Sequence, residues 1–387
     1  MDFEIFPMSL KKNILILSSA SFSLSNFRGD FVKQLLKEGF KVYCGAPDFS
    51  DKTLRLVDEI GGIPVKYNLQ RTGLNPFSDL KTIGELRNIL KIHEIDILFP
   101  YTIKPVVYGS FAARKLKLPV ISLITGLGFT FSRVSVKAKA LQWVTELLYR
   151  RALKSNRAVV FQNSDDLQLF IERKIVTKKQ SLHVVDGSGI NLDKFSFKPR
   201  RHDENSKVNF VLVGRLMKEK GVELFMEAAK ILRSKYPNSR FHIIGEPPKN
   251  NSSAVSETEL KELHRQEVIV YHGKSENVAK VISELDVFVL PSYYREGVPR
   301  SILEALSSGM PIITTDQPGC RETVSENKNG FLIPPQQQQP LTDALTYFLE
   351  SPETIAQMGL ESRKLAENKF DVNIINRDLM KIISESV

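Results

Sequence analysis

Two glutamates stand eight positions apart in EGVPRSILE, Glu296 to Glu304, downstream of the apolar run Val287–Pro291. An apolar run, a loop and then an apolar helical period read as strand, loop and helix. Such a loop offers the unpaired N–H groups of a helix start, which together with the helix dipole favour an anion. Gly297 lets the backbone approach a ligand, and Pro299 suits a first helical turn, where its missing N–H costs nothing. Glu304 lies about two turns into the helix at 3.6 residues per turn. There it shares the face that the loop addresses, and its carboxylate suits a pair of hydroxyls, as on a ribose. Glu296, in the loop, is placed for sugar hydroxyls beside a phosphate. A lone pair of glutamates is more often ordinary surface charge.

A second stretch alters that balance. VGRLMKEKG, Val213 to Gly221, also follows a strand end. Arg215 and Lys220 bracket a loop running into a helix that starts near Gly221. Two cations there would neutralise a diphosphate, the arginine as a fork and the lysine as a point charge. Taken singly, each would be a solvated surface cation. Both motifs in one half of the chain point to one site.

The elements that must hold these loops are legible as an alternation. In the first half, strands are expected at Asn13–Ser18, Lys41–Ala46, Ile95–Pro100 and Val120–Ile124. Helices are expected at Phe27–Glu38, Lys52–Ile60, Leu80–His93 and Val106–Leu116. In the second half, Val208–Val213, Arg240–Ile244, Val268–Tyr271, Val287–Leu290 and Ile312–Thr315 read as strands. Gly221–Lys235, Val278–Leu285 and Ser301–Ser307 read as helices, and Asp371–Val387 as a final amphipathic helix. Strands alternating with helices imply parallel sheets covered on both faces, here an α/β chain of two doubly wound, Rossmann-like domains facing across a cleft. The polar, turn-rich stretch Ser188–Lys207 holds the boundary, giving domains 1–190 and 191–370, with the helix 371–387 packing back toward the first. Pro247–Ser256 reads as a polar loop, and QQQQ at 336–339 as a surface tract.

Composition sets the class. Of 387 residues, 42% are apolar and 25% charged, as in an ordinary globular protein. Two cysteines, Cys44 and Cys320, are too few for a disulfide framework and fit a cytoplasmic setting. No apolar run approaches the roughly 20 residues of a membrane span. The net charge of +10 is lopsided: residues 1–186 carry 28 basic and 17 acidic side chains, the remainder 26 and 27. The positive field belongs to the first half and suits an anionic surface or substrate. Ser132–Arg157 concentrates it: Arg133, Lys137, Lys139, Arg150, Arg151, Lys154 and Arg157 stand against Glu146, with Leu141, Val144, Leu147, Leu148 and Trp143 at helical spacing. A basic amphipathic helix with an aromatic can lie on an anionic membrane, or pack with its basic face solvated.

GRLMKEKG, EGVPRSILE, the run Pro318–Pro335 (PGCRETV, then NGFLIPP) and SGINLDKF together resemble a retaining family 4 glycosyltransferase of the GT-B fold. NFRGDFVKQLLKEGFKV and TGLGFTF are similar to the bacterial branch that builds lipid-linked O-antigen, capsule and related oligosaccharides. The resemblance spans nearly the whole chain. It implies that Gly214, Arg215 and Lys220 hold the diphosphate of a nucleotide-sugar donor, UDP-N-acetylhexosamine first, and that Glu304 binds its ribose. Glu296 would contact the donor sugar, with the amides of Gly297, Val298 and Pro299 touching sugar and phosphates. The loop His272, Gly273, Lys274 would face the base. In the first domain Ser18–Ser21 (Ser19 among them), Asn26 and Arg28 fall on the phosphate or acceptor side, and Gly126–Gly128 form a cleft-side loop. Many relatives carry a histidine where this chain has YTIKP, Tyr101–Pro105, which leaves Lys104 as a candidate or as a surface lysine.

By the same resemblance the acceptor is an undecaprenyl-diphosphate-linked saccharide, and the enzyme sits peripherally at the inner face of the cytoplasmic membrane. The chain has no Asp-x-Asp pair, and its six histidines show no close metal spacing, so neither metal nor cofactor is expected. The two cations and a helix dipole would supply the positive charge. Three other readings fit less well. A non-hydrolysing sugar-nucleotide epimerase shares the architecture but not the two motifs. A nucleic-acid-binding protein would need an aromatic-interleaved basic module, and none is visible. A dinucleotide oxidoreductase would carry G-x-G-x-x-G after the first strand, where Ser18–Ser21 stands.

Overall fold

The computed structural model describes residues 12–70, 75–128, 131, 136–200, 202–203, 206–275 and 277–386. The chain divides into two units, Met1–Ser188 with Ile375–Val387, and Gly189–Ile374.

In the first unit the strands are β1 (Asn13–Leu17), β2 (Lys41–Ala46), β3 (Ile63–Lys66), β4 (Ile97–Pro100), β5 (Ile121–Ile124), β6 (Ala158–Phe161) and β7 (Ser181–Val184). All pair in parallel. The ladders run β3-β2-β1-β4 and β5-β6-β7, and single bridges Leu98–Val120 and Tyr101–Leu123 join β4 to β5. Alternate residues of β1 enter different cores. Leu15 and Leu17 pack with Leu86, Leu90 and Val106 of α3 (Pro76–Ile92) and α4 (Ile103–Arg114). Ile14 and Ile16 pack with Phe31, Val32 and Val57 of α1 (Ser21–Lys37) and α2 (Asp51–Glu59). A strand buried on both faces reads as the continuous apolar run ILIL, residues 14–17. Two more helices, α5 (Val136–Leu153) and α6 (Ser164–Glu172), connect β5 through β7. α1 begins six residues before its expected start, because Ser18 and Ser23 hydroxyls, 2.7 Å apart, close the turn after β1. Residues 132–135, with Arg133, and the side chain of Lys137 lie outside the described residues.

The second unit carries β8 (Asn209–Val213), α7 (Val222–Lys235), β9 (Arg240–Ile244), α8 (Glu257–Arg265), β10 (Val270–Gly273), α9 (Val278–Ile282), β11 (Val287–Leu290), α10 (Arg300–Ser307), β12 (Ile312–Thr315), β13 (Gly330–Ile333), α11 (Gln338–Glu350) and α12 (Thr354–Leu365). The sheet is parallel, in the order β10-β9-β8-β11-β12-β13. That is the doubly wound order, which reverses direction between β8 and β11. Phe210, Leu212 and Val289 meet α7 on one face, and Val211, Phe288 and Leu290 meet α10 on the other. The glutamines of 336–339 lead into α11, with Gln338 as its first residue.

The last helix, α13 (Val372–Ser386), starts in the second unit. Its Ile375, Leu379, Ile382 and Ile383 complete the first unit's core beside Ile14 and Phe31.

Candidate active site

β8 pairs with β9 on one side and β11 on the other, so the loops after β8 and β11 flank the point where strand order reverses. The first loop is pinned by its backbone. Gly214 N donates to Ile244 O (3.0 Å), Leu216 N to Glu246 O (3.1 Å) and Lys218 N to Ser253 O (2.8 Å). Lys218–Lys220 make one 3-10 turn, and Gly221 enters α7 at φ +73°. A Cβ on Gly221 would stand 2.2 Å from Pro291 O, so only glycine lets the two loops touch.

Lys220 Nζ reaches across to Glu296 Oε1 and forms an ion pair with it, the side chains being 12% and 14% exposed. Ser292 supports the pair: its Oγ lies 3.4 Å from the same carboxylate oxygen and 3.2 Å from Glu219 O. Tyr293 N and Tyr294 N also donate to Glu219 O, at 2.9 and 3.1 Å. Glu219 itself is buried, and its Oε1 accepts from Ser253 Oγ at 2.7 Å. From the third motif, Gly319 (φ +85°) backs onto this loop, where a Cβ would meet Gly297 O at 2.1 Å.

On α10, Arg300 Nε lies 3.6 Å from Glu304 Oε1, and Arg300 Nη1 donates to Gly189 O at 2.6 Å. Burial pushes the Glu304 carboxyl up from its ordinary range, against Arg300 and Lys194, which draw it down. Arg215 is exposed, and its guanidinium makes no ion pair among the described residues.

Val298 packs its side chain into the core, 7% exposed; the expectation concerned its amide alone. Two other expectations need correcting here. Pro299 is the residue capping α10 and has no N–H to donate. β10 extends to Gly273, so His272 lies within a strand, its ring stacked on His242 (centroids 5.2 Å apart) with Nε2 2.9 Å from His242 Nδ1. Gly273 ends the strand, and exposed Lys274 follows it.

In the first unit, Ser19 Oγ accepts from Thr102 Oγ1 at 3.0 Å, joining the loops after β1 and β4. Thr102 adopts φ 68° and ψ 156°, a backbone region that side chains avoid. Beneath it Tyr101 Oη lies 2.7 Å from Ser23 Oγ, and Tyr67 Oη donates to Ser18 O at 2.7 Å. Arg28, expected near phosphate or acceptor, is instead 2% exposed, with its guanidinium 5.6 Å from the Tyr101 ring centre. Lys104 is tied to Gln70 O (2.6 Å) and Asp79 (3.5 Å), a link between α4 and α3. Asn26 is exposed on α1, and Gly126 follows β5 at its carboxyl end. Ser292, Glu219 and Arg300 carried no signal in the sequence: a serine, a glutamate in a charged run and a helix arginine look alike until burial distinguishes them. Among the described residues, no three or more of His, Cys, Asp and Glu are grouped to hold a metal ion.

Residues 194–365 match the family Glycosyl transferases group 1, and residues 13–163 match Glycosyl transferase 4-like. Together the two matches make the chain a glycosyltransferase, with a 4-like first part and a group 1 second part. Among its relatives, the N,N'-diacetylbacillosaminyl-diphospho-undecaprenol alpha-1,3-N-acetylgalactosaminyltransferase of Campylobacter jejuni is 27% identical to this glycosyltransferase over 95% of the chain and 96% of its own length. The UDP-Gal:alpha-D-GlcNAc-diphosphoundecaprenol alpha-1,3-galactosyltransferase of Escherichia coli is 29% identical over 66% of each. The crystal structure of Anabaena Alr3699/HepE in complex with UDP, 17% identical, superposes with a TM-score of 0.76 over 97% of this glycosyltransferase and 100% of that chain. That likeness identifies the fold as GT-B.

Proposed function

We propose that this glycosyltransferase moves a sugar, with retention at the anomeric carbon, from a nucleoside diphosphate to an undecaprenyl-diphosphate-linked saccharide in the synthesis of a bacterial surface polysaccharide or oligosaccharide. UDP-N-acetylhexosamine is the first donor to consider, UDP- or GDP-hexose the next. The Lys220–Glu296 pair carries this reading: it sets a cation beside a carboxylate between two loops at the switch point, where a diphosphate and its sugar would lie. Support for the acceptor comes from the two relatives, both named for diphosphoundecaprenol-linked substrates.

In this reading Arg215 and Lys220 hold the diphosphate, Gly214 and Gly297 offer close backbone approach, and Glu304 takes the ribose hydroxyls. Gly273 and Lys274 face the base, and Glu296 takes the sugar. Ser19, Asn26 and the Gly126 loop belong to the acceptor side. The acceptor hydroxyl oxygen bonds to the anomeric carbon as the bond from that carbon to the phosphate oxygen breaks. The departing phosphate oxygen takes the hydroxyl proton, so nucleoside diphosphate leaves and no covalent enzyme intermediate forms. The cations stabilise charge growing on the leaving group, in place of a metal.

The same proposal places the enzyme against an anionic membrane face through α5. Trp143 is 66% exposed there, and the one acid, Glu146, is buried. No helix among the described residues is long and apolar enough to cross a membrane.

The test is transfer from a panel of UDP- and GDP-sugars to a synthetic undecaprenyl-diphosphate saccharide, with the anomeric configuration of the product read by NMR. Retention from a UDP-sugar supports the reading. An inverted product, or free epimerised sugar formed without acceptor, overturns it.

A further inference from the structure

A polar cavity opens at the other end of the first unit's sheet from the acceptor-side loops. It lies at the amino ends of β5, β6 and β7, lined by Val120, Arg157 and Ser181, which stand at those strand starts. The loops assigned to the acceptor follow the carboxyl ends of β1 and β5. The cavity measures about 490 Å³, within the range that holds small molecules. Five cations line it, Arg114, Lys117, Lys154, Arg157 and Lys179, and no carboxylate does.

Helix ends explain only part of this. Cations complement the exposed carbonyls that end α4 and α5. Arg114 does so, donating to Arg151 O, and its Nε donates to Ser155 Oγ at 3.1 Å. Lys117, Lys154, Arg157 and Lys179 make no ion pair among the described residues, nor any side-chain hydrogen bond to them. Like charges gathered without a counter-charge repel one another, and a bound anion reverses the sign of that interaction.

Asn156 also lines the cavity, held from behind. Its Nδ2 donates to Ser110 Oγ (3.0 Å) and Ser122 Oγ (2.6 Å). Ser110 donates its own proton to Val106 O at 2.6 Å, so it must accept from the amide, which fixes the amide's orientation. Asn156 Oδ1 is then a buried acceptor with no partner among the described residues. A compact group bearing several negative oxygens satisfies the five cations together, and a phosphate is one.

We propose that this cavity is a phosphate-binding site separate from the donor site, taking inorganic phosphate or the phosphomonoester headgroup of a lipid. It does not depend on the donor and acceptor assigned above. The full-length chain is titrated with inorganic phosphate by calorimetry, as wild type, as Lys220→Ala and as the double variant Lys117→Ala/Lys179→Ala. Lys220→Ala removes a cation from the donor loop, and the double variant alters only exposed side chains without partners. In a second arm the same proteins are sedimented with phosphatidylcholine vesicles, with and without phosphatidic acid. Phosphate binding that survives Lys220→Ala and weakens roughly tenfold or more in the double variant identifies free phosphate as a ligand. Loss in the double variant of sedimentation specific to phosphatidic acid identifies the headgroup. A double variant matching wild type in both arms, or phosphate binding abolished by Lys220→Ala with vesicle binding unchanged in the double variant, overturns the proposal.

Discussion

Lys220 and Glu296 form an ion pair across 76 positions of sequence, joining the ends of two adjacent parallel strands. Lys218, two residues earlier, pairs instead with exposed Glu223 at 3.1 Å. The two lysines therefore separate a site charge from a surface charge. Lys220→Ala is expected to lower kcat/KM by on the order of 10²–10³, as loss of one preorganised charge contact does. Lys218→Ala should change it less than about threefold, in line with an exposed pair. Steady-state kinetics on both variants checks this, and equal losses would break the assigned register of the loop.

Gly319 is expected to be intolerant of a side chain. Its φ of +85° and the 2.1 Å approach to Gly297 O mean that an added Cβ must move the Glu296–Gly297 backbone. Gly319→Ala should destabilise the protein by about 1–3 kcal/mol and raise the donor KM. Chemical denaturation and a donor titration read the two effects. An unchanged KM in a folded variant would detach the third motif from the site.

Thr102 offers a test with an unusual sign. Thr102→Ala and Thr102→Gly both lose the bond to Ser19, but only glycine relaxes at φ 68°, ψ 156°. The glycine variant should be the more stable of the two by roughly 1–3 kcal/mol, the reverse of their order in a helix. Paired melts of the two variants decide it.

His242 predicts an acid-side loss of stability. Burial first, then His272, lowers its pKa from 6.5 to about 4, while Asp286 pulls upward and Arg240 downward. Between those values the unfolded chain binds more protons, so stability rises with pH across the window. The contribution is complete above about pH 6.5 and is lost as pH falls toward 4. It amounts to at most on the order of 3 kcal/mol, less at a ring that solvent partly screens. His242→Gln should flatten the pH 4–6.5 limb of a denaturation series, and an unaltered slope would place the acid sensitivity elsewhere.

Chelation addresses the expectation of a metal-free reaction. Transfer in excess EDTA should proceed at the untreated rate, because Arg215 and Lys220 are the proposed counter-charges of the diphosphate. Activity lost to EDTA and restored by a divalent cation would refute that assignment.

The parts of the fold that were legible are those buried on both faces. Val287–Leu290 matches its expected bounds because a strand covered on both sides is apolar throughout. Ile312–Thr315, equally buried, and Arg240–Ile244, half-buried at Arg240 and His242, match because β-branched and aromatic residues still mark the run. β3 and β7 are short and partly exposed, so no apolar run marked them, whereas β6 is the buried run AVVF and was passed over. Within the site, the motifs led to the Lys220–Glu296 loop pair because glycine and charge at a strand end have few other uses. Arg28 and His272 were misplaced for different reasons. A charged type reads as surface, and only packing reveals that Arg28 lies buried under Tyr101. His272 is exposed, but β10 runs two residues past its expected end and takes it into the strand, stacked on His242.

The chain's last helix fills a gap in the unit made first. During translation the β1 face that will hold Ile375, Leu379, Ile382 and Ile383 must wait until the second unit has been made, roughly 10–40 s after Ser188 at ordinary elongation rates. A nascent fragment ending at Ser188 would bare apolar surface to chaperones. Bisecting the gene there would give a self-sufficient half only if the terminal helix were grafted back.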